Sequence, residues 1–254
     1  MDSFEEILSL FDNPQYAKIA VDNSLAYSLA KPFLHISIDD FLPEKVARLL
    51  YLDFPVPDIS CRFHNNQNTS RAFQDNTSLF KSNLRLFSSV TASREFILFL
   101  ERLTGIDCLV PDPYMIGGGA MMSGRGNFLK IHQDFNWHHK LQLHRRVNAL
   151  FYLSPDWKEE YGGELELWDD SNLVKKISPV FNRLVVFNTS DANHGQPHKL
   201  DIPDGVYRRV FSAFYYTARA NDDVWKDPHF TKYLPENSEY GSKLSQDFSE
   251  KGTY

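Results

Sequence analysis

The sequence predicts a mainly β domain, an all-β sandwich or jelly roll with flanking helices, and three observations predict it. Beyond Gly105, short runs of strand-like alternation recur between turn residues, around Met115 and over 128–135, 147–153, 164–168, 183–187 and 209–217. Before Gly105 the spacing turns helical, as in Phe96, Leu100 and Leu103 with Phe99 alongside. A chain of 254 residues is long enough for one β domain with a substantial core. We therefore read 1–254 as a single domain: 1–30 an N-terminal appendage, 31–110 a helical buttress, 111–219 the jelly-roll core and 220–254 a C-terminal tail.

Each element has a local reason. Residues 1–30 mix short apolar groups with Asp, Asn and Lys, which predicts a short helix over Phe4 to Phe11 lying on the domain surface. The run from Phe33 alternates like a strand. Asp39 or Asp40 then caps a helix with Pro43 near its first turn and Val46, Leu49 and Leu50 on one face. Residues 62–76 are polar and Asn-rich without a period, which predicts a loop serving as a lid or substrate wall. Gly105 ends the helix that starts near Thr91. The glycines at 117–119 and at 124 and 126 match neither a dinucleotide nor a phosphate loop, because the spacing fails and a strand follows. After about Ala220 the chain is polar, with Pro228 and Pro235, and is expected to wrap the outside or fray.

Composition narrows the function classes. A formal charge of −6 argues against a broad nucleic-acid surface. Two cysteines, Cys61 and Cys108, make no disulfide framework, and the acidic start Met-Asp-Ser-Phe-Glu-Glu is unlike a secretory signal, so a reducing, cytoplasmic setting is expected. No stretch approaches the ~20 apolar residues of a membrane span.

The chemistry centres on His132-Gln-Asp134. On a strand over 128–135 these two side chains project to the same side, because alternate residues share a face. In a chain with nine histidines the tripeptide carries little weight by itself. A later strand bringing His194 would complete two imidazoles and one carboxylate on one face of a metal, the ligand set of non-haem Fe(II) oxygenases. His198 is the rival third ligand. The absence of Cys near the trio argues against a thiolate zinc site. Residues Trp137 to His144, with His138, His139 and His144, read as a polar loop near the mouth of the site.

The run Arg146 to Trp157, then Gly162-Gly-Glu-Leu-Glu-Leu-Trp168, Asn182 to Phe187, His194, and Arg208 to Thr217 resembles the Fe(II)- and 2-oxoglutarate-dependent dioxygenases, and within them the prolyl-4-hydroxylase-like branch. The similarity spans roughly 115–217. It implies a double-stranded β-helix, a jelly roll whose mouth holds the metal, with His132, Asp134 and His194 as ligands. The setting of His194 after an apolar strand resembles the family more than that of His198 does. The resemblance also implies Fe(II), 2-oxoglutarate and O2 as cofactor and co-substrates, with ascorbate as reductant.

The far carboxylate of 2-oxoglutarate needs a cation, ideally a planar guanidinium. Arg208 lies about where the family places that base, and Arg209 points to the opposite face, so the choice between them rests on strand register. Alternation places Ser212 with Arg208, and the resemblance suggests Tyr152 as another partner of the co-substrate, with Asn148 on its side. One departure stands out. Many relatives carry a tyrosine on the strand before the first ligand, where this chain has Met121-Met122-Ser123-Gly124. The implied reaction is hydroxylation of an unactivated C–H bond with release of succinate and CO2. Related halogenases leave the carboxylate position empty, and here Asp134 fills it. The expected substrate is a small molecule or peptide: a peptidyl or free amino acid, proline among them, or a natural-product intermediate. The rival readings are a cupin-like metal enzyme, isomerase or hydrolase, which would not need Arg208, and a binding protein on a jelly-roll frame.

Overall fold

The structure, a computed structural model, describes residues 3–170, 172–189, 191–219 and 227–234. Its helices are α1 (Ser3–Leu8), α2 (Pro14–Leu29), α3 (Glu44–Asp53), α4 (Ser82–Val90) and α5 (Arg94–Thr104). The strands are β1 (His35–Ile38), β2 (Arg62–Asn65), β3 (Thr69–Gln74), β4 (Val110–Pro111), β5 (Gly119–Ser123), β6 (Phe128–Gln133), β7 (Trp137–His138), β8 (Leu143–Tyr152), β9 (Leu165–Trp168), β10 (Leu173–Ile177), β11 (Arg183–Asn188), β12 (Asn193–Gln196), β13 (Arg208–Thr217) and β14 (Lys232–Tyr233).

The strands run in the order β1-β11-β8-β13-β5-β3-β6-β12-β9-β10, with β2, β4, β7 and β14 attached to the sides. Neighbours are antiparallel throughout. The path folds into two facing layers, β1-β11-β8-β13-β5 and β6-β12-β9-β10, and β3 joins them along one edge, pairing with β5 through Ala72, Phe73 and Gln74 and with β6 through Thr69 and Ser70, while β2 takes its other edge. This is the jelly roll that the short-strand texture predicts, in the double-stranded β-helix form that the resemblance implies.

The helices cover the outer face of the first layer through aromatic contacts. Phe87 of α4 meets Phe151 of β8 and Phe211 of β13 at centroid distances of 5.0 and 5.4 Å, and Phe96 of α5 meets Phe151 at 5.8 Å. Helix α5 starts where Ser93 accepts the Phe96 N–H and ends at Gly105 with φ 70°, a left-handed stop that a Cβ would penalise. Its apolar face, Phe96, Phe99, Leu100 and Leu103, is buried, as its spacing predicts.

Several expectations need correction. The 1–30 segment is not a surface appendage: Ile7, Leu10, Phe11, Tyr16, Ala20 and Tyr27 are buried in the main core, and α2 packs on α5. Its burial rests on widely spaced tyrosines and small residues, while Val21, Leu25 and Leu29 stay exposed, so no apolar stripe marks the inner face. The 62–76 segment is a hairpin of β2 and β3, not a loop. Helix α3 begins at Glu44 after Pro43, and Asp39 pairs with Arg183 instead of capping it. In the 220–254 segment, β14 pairs with β6 beside His132; residues 220–226 and 235–254 lie outside the described residues. Among the described residues, no helix is long and apolar enough to cross a membrane.

Candidate metal centre

His132 lies near the end of β6, Asp134 just past it, and His194 on β12, the strand paired with β6, where His194 stands directly opposite His132. One ligand atom from each falls within 4.8 Å of the others. His132 Nε2 is 3.4 Å from Asp134 Oδ1, and His194 Nε2 is 3.6 Å from Asp134 Oδ2. Each imidazole points its Nδ1 at a backbone carbonyl two residues back, Lys130 O at 2.8 Å and Ala192 O at 2.9 Å. Carbonyls only accept, so the proton sits on Nδ1 and each Nε2 turns a lone pair inward. Burial, against the pull of Asp134, lowers the His194 pKa to about 4, which keeps the ring neutral and able to ligate at neutral pH. Two neutral imidazoles and a carboxylate fit Fe(II).

Asp134 is held from behind. Burial would raise its pKa, but the pull of the Arg145 guanidinium outweighs burial and holds the carboxyl well below its usual range. Arg145 Nη2 lies 3.1 Å from Asp134 Oδ2, and Asn148 Nδ2 donates to the same oxygen at 2.8 Å. Arg145 also donates twice to Asn148 Oδ1, and its guanidinium lies 3.6 Å from the Phe214 ring centroid. Sequence reading missed Arg145. Strict alternation places 145 and 148 on opposite faces, but a bulge in β8 opposite Tyr215 and Tyr216 inserts one residue and turns both into the cavity. A second irregularity, in β6 opposite His194 and Gln196, brings Leu129 into the cavity with His132. There Gly195 lies so close to β6 that a Cβ would stand 2.8 Å from the carbonyls of Leu129 and Lys130.

The cavity runs from the trio to Arg208, lined on the way by Met121, Ser123, Leu150 and Ser212. Arg208 Nη2 donates to the Tyr152 hydroxyl at 3.3 Å, and its Nε is buried without a partner. Burial pushes the Tyr152 phenol up, against the pull of Arg208, so it stays protonated and can donate onward. Gly163, at φ 85°, makes room: a Cβ there would stand 3.0 Å from Arg208 Cδ. Arg209 lies outside the cavity, its guanidinium 4.7 Å from the Tyr51 ring centroid. Ser212 Oγ donates to Met121 Sδ at 3.5 Å.

Other expected residues are placed elsewhere. His198, the rival ligand, is exposed and pairs with Glu166 at 3.2 Å, away from the trio. Trp137 to His144 is not a plain polar loop: β7 pairs with β8, and His138 is buried against Asp112 at 3.2 Å. His144 is buried beside Trp137, and His139 is exposed near Phe230. Two groups beside the trio escaped the sequence reading altogether: Arg71, from the hairpin expected as a loop, which lines the cavity, and Tyr233 of β14, whose ring lies 5.6 Å from that of His132.

A family model of the 2OG-Fe(II) oxygenase superfamily matches residues 118–220, which contain all three candidate ligands and Arg208. The chain is 25% identical over 228 residues, 85% of its length, to prolyl 3-hydroxylase OGFOD1 of Xenopus laevis, and spans 40% of that relative's length. It resembles in fold a prolyl hydroxylase of Trichoplax adhaerens, solved with a peptide of hypoxia inducible factor (TM-score 0.55, 17% identity, 80% of this chain and 90% of that one). A prolyl-4-hydroxylase of Pseudomonas putida is similar to the same degree (TM-score 0.55, 18% identity, 81% of this chain and 100% of that one). The segment matched by the 2OG-Fe(II) oxygenase superfamily model encloses the trio and the cavity beside it, and the chain is similar in sequence to a prolyl 3-hydroxylase and in fold to prolyl hydroxylases.

Proposed function

We propose that this protein is an Fe(II)- and 2-oxoglutarate-dependent dioxygenase that hydroxylates an unactivated C–H bond of a peptidyl or free amino acid, with a prolyl residue as the leading candidate. The observation that carries this reading is the pairing of three inward-facing ligand atoms with the unpartnered donors of Arg208 in one cavity. When bound, Fe(II) with 2-oxoglutarate and O2 supplies the oxidation: one oxygen atom enters the substrate as hydroxyl, the other enters succinate, and CO2 leaves.

The chain's own groups have distinct tasks. His132, Asp134 and His194 would hold the metal, a ligand set that suits Fe(II). Arg145 and Asn148 fix the carboxylate that joins them. Arg208 receives the far carboxylate of 2-oxoglutarate, with Tyr152 and Ser212 adding hydroxyl donors. Leu150, Leu165 and Phe187 wall the cavity with apolar groups, which limits water around the reacting centre. The relatives named as prolyl 3-hydroxylase and prolyl hydroxylases support a prolyl substrate. Ascorbate serves to keep the metal ferrous. Both cysteines are free thiols, which suits the reducing cytoplasm where Fe(II) persists.

The test is succinate release from 2-oxoglutarate with Fe(II), ascorbate and a panel of proline-containing peptides and free amino acids. His132→Ala, Asp134→Ala and His194→Ala are each expected to lower turnover at least about 100-fold while circular dichroism stays unchanged. Arg208→Ala is expected to raise the KM for 2-oxoglutarate by about 10- to 100-fold while metal binding holds. Unchanged turnover in any ligand variant removes that residue from the site, and a 2-oxoglutarate effect in Arg209→Ala with none in Arg208→Ala reverses the register.

A further inference from the structure

Three guanidinium groups, from Arg71, Arg145 and Arg208, line the cavity that holds the metal ligands. Their surroundings differ. Arg145 is satisfied by Asp134 and Asn148. Among the described residues, Arg208 has one hydrogen-bond acceptor, the Tyr152 hydroxyl, feels the charge of Glu164, and has a buried Nε without a partner. Arg71 has the poorest set: among the described residues its one hydrogen-bond acceptor is the thioether of Met121 at 3.6 Å, and its Nε is shut off from solvent without a partner. A thioether is a weak acceptor, and a shielded cation without a counter-ion is costly.

Among the described residues lining the cavity there is one carboxylate, Asp134, already engaged by Arg145 and Asn148. Arg71 and Arg208 therefore both present unused donors to the same space. Their relation is fixed by Met121, whose sulfur lies 3.6 Å from Arg71 Nη1 and 3.5 Å from Ser212 Oγ, on the strand that carries Arg208. Arg71 also feels the charges of Tyr233 and Asp134, and the repulsion of Arg208 and Arg145. It thus stands beside the path from Arg208 to the metal. Two unfilled cation sites along that path match a dicarboxylate.

We propose that Arg71 is a second co-substrate-binding residue, holding the carboxylate of the keto-acid end of 2-oxoglutarate while Arg208 holds the other. This inference rests on the oxygenase reading given above. It also gives the Met121-Met122-Ser123 departure a physical sense: the neighbouring strand β3 supplies a guanidinium next to Met121, where a phenol was expected on β5. The pairing of Phe73 with Met121 and Ala72 with Met122 sets β3 beside β5 for that purpose.

The experiment is calorimetric titration of Mn(II)-loaded full-length protein, without turnover, using two probes: 2-oxoglutarate, which carries both ends, and 2-oxobutyrate, which carries only the keto-acid end. Arg71→Gln is expected to weaken both probes by about 10- to 100-fold, the loss of a charge-assisted hydrogen bond. Arg208→Gln is expected to weaken 2-oxoglutarate similarly and leave 2-oxobutyrate near the wild-type value. Arg71→Lys should recover part of the affinity, and it carries the comparison if the glutamine variant does not fold. Without ligand, Arg71→Gln should melt no lower than wild type, since an uncompensated charge is removed, and should gain less on adding 2-oxoglutarate. Wild-type affinity for both probes in Arg71→Gln overturns the proposal, and a defect confined to the KM of the prolyl substrate would assign Arg71 to substrate instead. Wild-type protein that binds no 2-oxoglutarate overturns the oxygenase reading itself, a result distinct from either.

Discussion

At the residue scale, the geometry of Asp134 depends on a pair of side chains that never meet the metal. Asn148 donates to Oδ2 at 2.8 Å and accepts from Arg145, so it locks the carboxylate and the guanidinium together. Replacing Asn148 with Ala leaves Arg145 to turn away and Asp134 to rotate. Metal affinity is expected to fall about 10- to 100-fold, read as metal retained after dialysis against a weak chelator, with the melting temperature of the metal-free protein little changed. The trio itself was legible in the chain because strand alternation and the wider motif context agree on His132, Asp134 and His194. Parity set Arg208 and Arg209 on opposite faces but left open which faces inward, and the structure lines the cavity with Arg208. Arg145 was not legible, since the β8 bulge breaks the parity that the reading depends on. Arg71 was hidden for a different reason: it lies in an Asn-rich hairpin whose buried faces include polar groups, Thr69 and Gln74, so the strand shows no apolar alternation.

At the element scale, α5 is the part most fully written in the sequence and the one that most directly supports the first layer. Phe96 is fully buried, stacks on Phe99 at 5.4 Å and lies 4.5 Å from Phe11 and 6.0 Å from Tyr215. Phe96→Ala therefore opens a cavity where three elements meet. It is expected to cost about 3–5 kcal/mol of stability, measured by urea unfolding, and to leave metal affinity in the surviving folded fraction near wild type. Helix α2 was not legible, because its inner face is built from Tyr16, Ala20 and Tyr27 while leucines occupy the outside. Amphipathic spacing identifies helices whose large aliphatic groups point inward, and here they do not.

At the scale of the whole molecule, the site draws on the chain from residue 71 to residue 233. The Leu234 N–H donates to the Ile131 carbonyl at 2.8 Å, and Tyr233 stands opposite His132 on the paired strand. Deleting residues 220–254 is expected to cost about 1 kcal/mol of stability, seen as a lower melting temperature, and to loosen the metal more than deletion of 235–254 does. The β3 strand has a further mechanical effect. Bonded along one edge to β5 and then β6, with β2 on its other edge, it rivets the two layers along one seam, while β10, at the far end of the sheet, keeps Leu173 and Val174 open to solvent. Thermal breathing of the barrel must then occur away from that seam. Amide hydrogen exchange should be slow along β3, β5 and β6 and fast along β10, so the molecule loosens first at the open end of its sheet.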